Sequence, residues 1–261
     1  MNEFQNLYGP TAVVTGASSG IGKSFAMLLA RRGLNLVLVA RRKDRLEALA
    51  AELRQHHNIS VTVHESDLAK PNAAAEIIAA TTDMDIGLVI SNAGFGLKGE
   101  FSNTNAQQMA DMLMVNCHTP MQLAHGFLPA LRARGKGGIV FTSSVEGLIG
   151  CPYSTAYAAT KALVVSLGEG LWGEFREAGI DVLTLCPGAT DTEAPALQGI
   201  DPRTLQNLMA PDDVAELALA NLKNGPTYIP SEHYKASFDM LLSLPRRDAL
   251  QLMAKSLKPE A

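Results

Sequence analysis

The sequence predicts a three-layer α/β fold, a doubly wound parallel sheet of about seven strands with helices on both faces. Three observations carry this prediction. Short β-branched runs alternate with longer stretches of helical periodicity along most of the chain. The strand runs are almost continuously apolar, as is typical of parallel strands that are buried on both sides. The length of 261 residues suits one such domain and is short for two, so we predict a single domain over residues 1–261.

The predicted strands are short apolar runs, most of which end at glycine, proline or polar residues. They lie at residues 11–16, 35–40, 60–67, 86–94, 137–144, 180–188 and 227–230. Runs such as "TAVVTG" and "NLVLVA" are too short for a typical helix and rich in β-branched residues. In a sheet of this kind ligands bind beyond the carboxyl ends of the strands, so we expect the chemistry there.

The predicted helices lie between these strands, at residues 21–33, 43–57, 72–82, 105–133, 155–178 and 211–224. Gly33 suits the C-terminus of the first helix, and Pro211 suits the first turn of the last. Leu46, Leu49 and Leu53 form one apolar face of the second. Residues 237–261 carry leucines at helical spacing and are predicted as a C-terminal helical extension.

Composition excludes several function classes. The net charge of −4 contains no basic excess of the kind that nucleic-acid binding requires. No window approaches the roughly 18 uninterrupted apolar residues of a membrane span. The N-terminus has neither the basic nor the apolar segment of a signal peptide. Cys117, Cys151 and Cys186 are odd in number and scattered, so we expect no metal site, no disulfide framework and a cytoplasmic location.

A glycine-rich turn, "TGASSGIG" at residues 15–22, lies between the first predicted strand and the first predicted helix. One glycine allows the sharp turn, another lets the backbone approach a diphosphate, and a third lets helix and strand pack closely. The helix N-terminus also offers free N–H groups and the positive end of its dipole. The sequence therefore predicts a dinucleotide-binding turn formed by Gly16, Ser18, Ser19, Gly20, Ile21 and Gly22.

Ser144, Tyr157 and Lys161 are the candidate catalytic residues. Tyr157 and Lys161 are four residues apart in a predicted helix, so both side chains project from one face. A phenol with an ordinary pKa near 10 reacts poorly at neutral pH, and a nearby ammonium lowers that pKa toward the working range. Ser144 ends the preceding predicted strand, where its hydroxyl is expected to hold a substrate oxygen while Tyr157 passes the proton.

Four motifs, in this order, resemble those of the classical short-chain dehydrogenase/reductase family. They are T-G-x-x-x-G-x-G at residues 15–22, N-A-G at 92–94, S-x(12)-Y-x-x-x-K at 144–161 and P-G-x-x-x-T at 187–192. The resemblance spans roughly residues 10–230 and implies a Rossmann-type fold with hydride transfer between a nicotinamide and a carbonyl or secondary alcohol. It selects Ser144 over its neighbour Ser143, and it implies that Asn116 serves a proton relay to Lys161.

The end of the second predicted strand favours NADP as the cofactor over NAD. An acidic residue there would hydrogen-bond the ribose 2′-hydroxyl, whereas an arginine accommodates a 2′-phosphate. The chain carries Arg41 and Arg42 at this point and no carboxylate at the strand end. Ser19 is a departure, because many NADP-using relatives have a basic residue just before the middle glycine.

The resemblance implies further cofactor contacts. Asp67 and Leu68 are expected at the adenine, and Asn92, Ala93 and Gly94 in the floor of the site. Tyr157 and Lys161 are expected at the nicotinamide ribose, and Pro187, Gly188, Thr190 and Thr192 around the nicotinamide.

The expected substrate is a small carbonyl compound or alcohol, and a neutral apolar ketone is favoured. The predicted pocket segments follow N-A-G, Ser144 and Thr192, and they contain Phe95, Leu97, Leu148, Ile149, Tyr153, Leu197 and Met209. Phe95, Ser144, Tyr153 and Leu197 are the substrate-contact candidates, and residues 193–210 resemble the family's substrate-covering segment.

Two alternatives stay open: a 3-oxoacyl-thioester reductase that acts on carrier-protein substrates, and a non-catalytic NADP-binding sensor. The resemblance also implies a homodimer or homotetramer built on helices 105–133 and 155–178.

Overall fold

The structure is a computed structural model that describes residues 3–258. Residues 259–261 of the predicted C-terminal extension, and residues 1 and 2 of the predicted domain, lie outside the described residues. The strands are β1 (Thr11–Thr15), β2 (Asn35–Ala40), β3 (Val61–Glu65), β4 (Ile86–Ser91), β5 (Gly137–Thr142), β6 (Ile180–Leu185) and β7 (Thr227–Tyr228). The α-helices are α1 (Glu3–Tyr8), α2 (Gly20–Arg31), α3 (Lys43–His56), α4 (Ala73–Ala80), α5 (Ala106–Leu113), α6 (Thr119–Arg134), α7 (Thr155–Phe175), α8 (Ala194–Leu197), α9 (Pro211–Ala220), α10 (Glu232–Ser243) and α11 (Arg246–Ser256).

The seven strands form one parallel sheet in the order β3-β2-β1-β4-β5-β6-β7. The chain winds outward from β1 in one direction through β2 and β3, and then returns to β4 on the other side of β1. The strand order therefore reverses between β1 and β4, which opens a crevice at their carboxyl ends. This topology confirms the predicted Rossmann-type fold class.

Both faces of the sheet are buried, which explains the near-continuous apolar strands. Val14, Leu36 and Leu38 pack on one face in a cluster with α2, α3 and α9. Val13 and Val37 pack on the opposite face in a cluster with α4, α6 and α7. Successive strand residues point to opposite faces, so each strand contributes to both cores.

Three elements differ from the sequence prediction. The predicted helix 105–133 is interrupted by a π-helical segment, Met114–His118. The C-terminal extension is two helices, α10 and α11, because Pro245 disfavours helical backbone in the residue before it. The short helix α1, which the sequence analysis did not predict, lies ahead of β1.

α10 and α11 pack beside the catalytic end of the sheet. Phe238, Leu241 and Met253 form a third apolar cluster with Val145 and Cys186, which follow β5 and β6. The extension therefore supports the segment that carries Ser144. Within residues 3–258 none of the helices has the length and apolar character needed to cross a membrane.

Candidate active site

The glycine turn between β1 and α2 has the geometry that a diphosphate requires. Gly16 and Gly20 have φ values of +70° and +53°, which a side chain would strain. A Cβ on Gly22 would lie 2.3 Å from the carbonyl oxygen of Gly16, so only glycine lets α2 start this close to the turn. The residues present therefore fit a dinucleotide: the backbone is open to approach, and the N-terminus of α2 faces it.

The P-G-x-x-x-T segment meets this turn from the other side of the crevice. The methyl carbon of Thr192 lies 3.0 Å from the point that a Cβ on Gly20 would occupy. Thr190 is buried, and its backbone pairs with that of Met209. A Cβ on Gly188 would lie 2.1 to 2.5 Å from ring atoms of Tyr234 in α10. The two motifs, far apart in sequence, thus form one wall of the site.

Arg42 lies against the glycine turn. Its Nε and Nη2 donate to Ser18 Oγ at 3.1 and 2.9 Å, and Nη2 also donates to Ser19 Oγ at 2.6 Å. Arg41 is exposed to solvent. The arginine that contacts the turn is therefore Arg42. Arg45, which the sequence analysis missed, lies one helical turn further along the chain, in α3.

The remaining predicted cofactor residues line the same edge of the sheet. The Asp67 carboxylate accepts a hydrogen bond from Ala69 N at 3.2 Å, and Leu68 is buried in the core. Asn92 N donates to Thr15 Oγ1 at 2.9 Å, and Thr142 Oγ1 donates to Asn92 Oδ1 at 3.1 Å. Asn92 therefore ties the ends of β1, β4 and β5 together.

Asn116 lies in the π-helical segment and is almost fully buried. Its Oδ1 accepts from Phe95 N at 3.1 Å, and its Nδ2 donates to Phe95 O at 2.9 Å and to Thr160 Oγ1 at 3.0 Å. A Cβ on Gly94 would lie 3.1 Å from Asn116 Oδ1 and 3.2 Å from Lys161 Nζ. Asn116 Oδ1 and Lys161 Nζ thus both lie close to Gly94, and the proton relay that the resemblance implies stays a prediction.

Lys161 is buried at the carboxyl end of β5. Its Nζ donates to Thr142 O at 2.8 Å, and burial lowers the pKa of this ammonium to about 8. Ser143 Oγ donates to Lys161 O at 2.8 Å and so points into the α7 backbone. Ser144, by contrast, lies beyond the end of β5, and its hydroxyl accepts from Glu146 N at 3.2 Å.

Tyr157 and Lys161 project from the same face of α7. Lys161 Nζ lies 5.6 Å from the centre of the Tyr157 ring. Burial, followed by the charge of Glu146, raises the pKa of Tyr157 above its ordinary value, and a hydrogen bond with Ser144 opposes this rise. The protein groups alone therefore keep Tyr157 a neutral phenol at neutral pH, rather than the lowered-pKa phenol that the sequence analysis expected.

A half-buried ion pair beside Tyr157 was missed by the sequence analysis. Lys98 Nζ donates to Glu146 Oε1 at 2.6 Å and to Ser154 Oγ at 2.9 Å, and Ser154 Oγ donates to Glu146 Oε2 at 2.5 Å. Lys98 Nζ lies 5.9 Å from the centre of the Tyr157 ring. The available signal was a charged residue, Lys98 after N-A-G and Glu146 after Ser144, in each of two mostly apolar segments that the sequence predicted to line one pocket.

The substrate-contact candidates divide into two groups. Phe95 and Tyr153 are half-buried near the site, and Tyr153 has a left-handed φ of +61°. The structure does not bring Leu197 to the site, because its side chain is 79% exposed. Its neighbour Gln198 points inward: a Cβ on Gly96 would lie 2.9 Å from Gln198 Nε2 and 3.1 Å from Tyr157 Cδ2.

The other predicted pocket residues have mixed positions. Ile149 is buried in the cluster with α10 and α11, and Leu148 packs against it. Met209 packs against the core beside α2 and α9. Among residues 3–258 no group of three or more His, Cys, Asp or Glu side chains is arranged to hold a metal ion.

Comparison with known proteins identifies the family. The sequence profile of the short chain dehydrogenase family matches residues 10–199. The 7beta-hydroxysteroid dehydrogenase of Clostridium sardiniense is 30% identical over 253 residues, which cover 97% of each chain.

Solved structures extend the comparison. A short-chain dehydrogenase from Sphingobium yanoikuyae in complex with NADPH is 36% identical, with a TM-score of 0.83 and 97% of each chain covered. The bulky-bulky ketone specific alcohol dehydrogenase of Comamonas testosteroni is 34% identical, with a TM-score of 0.79 and the same coverage. Because the family profile matches most of its length, and a relative of 30% identity covers nearly all of it, the chain belongs to the short-chain dehydrogenase family and is an oxidoreductase.

Proposed function

We propose that this protein is an NADP(H)-dependent oxidoreductase that interconverts a bulky, neutral ketone and its secondary alcohol. One observation carries the proposal: Ser144, Tyr157 and Lys161 converge at the carboxyl end of β5, next to a glycine turn suited to a diphosphate. A proton donor and a dinucleotide-binding turn then open onto the same crevice.

The cation at the end of β2 supports NADP as the cofactor. Arg42 is held at the glycine turn by Ser18 and Ser19, where a 2′-phosphate would lie next to its planar donors. The Sphingobium relative, with 36% identity over nearly the whole chain, was solved in complex with NADPH.

The protein's own contribution is to orient the reactants and to move a proton. When bound, the nicotinamide supplies or accepts the hydride. Ser144 and Tyr157 hold the substrate oxygen, and Tyr157 donates its proton to that oxygen in the reducing direction. Lys161, anchored by Thr142 O at 2.8 Å, keeps a positive charge beside the phenol as the proton leaves.

The pocket chemistry supports a neutral, bulky substrate. Phe95, Leu97 and Tyr153 supply apolar and aromatic surface, and the charge of Lys98 is neutralised by Glu146 at 2.6 Å. Two of the relatives with named substrates are a hydroxysteroid dehydrogenase and an alcohol dehydrogenase specific for bulky ketones. A ring-containing ketone with large groups on both sides of the carbonyl is the substrate class that we propose.

The quaternary state and location complete the proposal. Leu113, Met121 and Leu163 are exposed on α5, α6 and α7, which supports pairing of two chains through these helices in a homodimer or homotetramer. Gly170 and Gly173 of α7 leave room for close approach, whereas Gly168 faces Thr184 inside the chain. The three buried free cysteines support a cytoplasmic location.

A substrate panel with the Tyr157→Phe variant tests the function. We expect wild-type protein to oxidise NADPH with bulky cyclic ketones, followed by nicotinamide absorbance, and Tyr157→Phe to lower kcat about 10²- to 10⁴-fold. Tyr228→Phe removes a phenolic hydroxyl from a residue that packs against the core cluster of α2, α3 and α9, and it is the matched control. A variant at position 157 as active as wild type would refute the assigned acid, and a preference for 3-oxoacyl thioesters would replace the substrate class.

A further inference from the structure

A carboxylate from the substrate-covering segment lies between two arginines at the end of β2. Glu193 Oε2 lies 2.7 Å from Arg42 Nη1, and Glu193 Oε1 lies 2.6 Å from Arg45 Nη1. Each oxygen of the carboxylate therefore has its own guanidinium partner. Glu193 directly follows Thr192 and precedes α8, so this contact fixes the start of segment 193–210.

These arginines form the cationic subsite next to the glycine turn. The same Arg42 that holds Glu193 also donates to Ser18 and Ser19, between the glycines that approach the diphosphate. In a sheet of this topology, the end of the second strand lies at the 2′ position of the adenosine ribose. The carboxylate thus occupies a subsite whose chemistry suits a phosphate: planar, paired donors with two positive charges.

We propose that Glu193 is an internal substitute for the cofactor's 2′-phosphate, and that a 2′-phosphorylated nucleotide displaces it from Arg42 and Arg45 on binding. This inference rests on the proposed NADP dependence. It makes Glu193 a specificity-determining residue, because its carboxylate opposes NADP(H) and leaves NAD(H) unaffected. It also joins the cofactor subsite to the segment that covers the substrate.

We expect the Glu193 carboxylate to compete with the 2′-phosphate for these arginines over the whole working pH range. Hydrogen bonds from Arg45 and then from Arg42 lower the pKa of Glu193 to about 2, so the carboxylate stays ionised. The side chains of Arg42, Arg45 and Glu193 are 38%, 46% and 43% exposed, so solvent reaches the cluster and the carboxylate has room to leave. Solvent screening of this kind makes the competing interaction modest rather than prohibitive.

Calorimetric titration with two nucleotide fragments tests the proposal without turnover. Adenosine 2′,5′-bisphosphate carries the 2′-phosphate, and adenosine 5′-monophosphate is the matched probe that lacks it. We expect Glu193→Gln to bind the bisphosphate ~3- to 10-fold more tightly than wild type, and to bind the monophosphate equally well. Glu216→Gln is the control variant, because it removes the same charge from an exposed Arg–Glu pair, with Arg32 at 2.6 Å, away from the subsite.

The outcomes separate this inference from the proposed function. Tighter bisphosphate binding by Glu193→Gln alone supports it. If wild type prefers the bisphosphate and Glu193→Gln leaves or weakens that preference, the inference fails and NADP dependence stands. If neither protein binds the bisphosphate more tightly than the monophosphate, NADP dependence fails and the inference fails with it. Equal gains in Glu193→Gln and Glu216→Gln would mean a general charge effect and would also overturn it.

Discussion

At the residue scale, the decisive group is the phenol of Tyr157, which has charged neighbours of both signs. Lys161 Nζ lies 5.6 Å from the centre of its ring, and Lys98 Nζ, which is paired with Glu146, lies 5.9 Å from it. Burial and Glu146 together raise the pKa of Tyr157, which suits a proton donor in ketone reduction. Burial also raises the pKa of the Cys151 and Cys186 thiols, which keeps both thiols neutral.

Opposite shifts of the pH profile are expected when the two members of the pair are changed. Glu146→Gln removes a negative charge and leaves Lys98 unpaired, so the pKa of Tyr157 falls. The rise of kcat/KM with pH in alcohol oxidation, where the phenolate is the base, should then move to lower pH by about one unit. Lys98→Met removes the cation and should move the same rise to higher pH.

Both variants break the same ion pair at 2.6 Å, so a loss of packing or of loop position would affect them alike. Shifts of opposite sign therefore report electrostatics. Shifts in the same direction, or none, would contradict the role that we give to Glu146 and would leave the pair a structural link between the two pocket segments.

At the element scale, the π-helical segment and α10 each place one part of the site. The widened turn at Met114–His118 sets Asn116 against the Phe95 backbone and Lys161, which a regular helix would place differently. α10 sets Tyr234 on Gly188, at the start of the P-G-x-x-x-T wall. α10 therefore supports the P-G-x-x-x-T segment, which the resemblance predicts to lie around the nicotinamide.

A double-variant cycle tests this support. Gly188→Ala would put a Cβ within 2.5 Å of the Tyr234 ring, so we expect NADPH binding to weaken about 10-fold and the melting temperature to fall. Gly188→Ala combined with Tyr234→Ala relieves the clash and should recover most of the loss. Fluorescence titration with NADPH and thermal unfolding measure both effects. If the two losses simply add, Tyr234 does not set the space above Gly188.

At the scale of the whole molecule, the buried ammonium of Lys161 is a stability cost kept for function. The unfolded chain keeps its ordinary pKa of 10.5, whereas burial lowers the folded value to about 8. The unfolded state therefore binds more protons between these two pH values, and stability should rise with pH across that window. Below the folded-state pKa of about 8, Lys161 is charged in both states, and the full cost of burying its ammonium lowers the free energy of unfolding.

Replacing Lys161 by methionine is expected to stabilise the fold and abolish activity. We expect the free energy of unfolding at pH 7 to increase by about 1–3 kcal/mol, with the gain shrinking toward pH 10. Urea unfolding at the two pH values measures it, at one fixed protein concentration. Lys255→Met, at an exposed position of α11, is the control and should change stability little. A destabilised Lys161→Met protein would mean that the bond to Thr142 outweighs the burial cost.

The sequence by itself determined the sheet, the glycine turn and the identity of the candidate catalytic residues. Apolar strands, helical periodicity and motif spacing are local properties of the sequence. A strand that is buried on both faces has the same apolar pattern whichever strands lie beside it. Seven strands were therefore placed within a few residues of their observed ends. Helical spacing predicted that Tyr157 and Lys161 share one face of a helix, and the motif resemblance identified them as candidate catalytic residues.

Only the tertiary structure decided which groups face each other across the crevice. It set Arg42 rather than Arg41 at the turn, Glu193 on Arg42 and Arg45, Glu146 beside Tyr157, and Gln198 inward in place of Leu197. The hydrogen bonds and ion pairs among these contacts join residues 23 to 151 positions apart, and the inward position of Gln198 depends on which way a short helix turns. Sequence spacing constrains neither, because pKa values and ion pairs depend on through-space distance and burial.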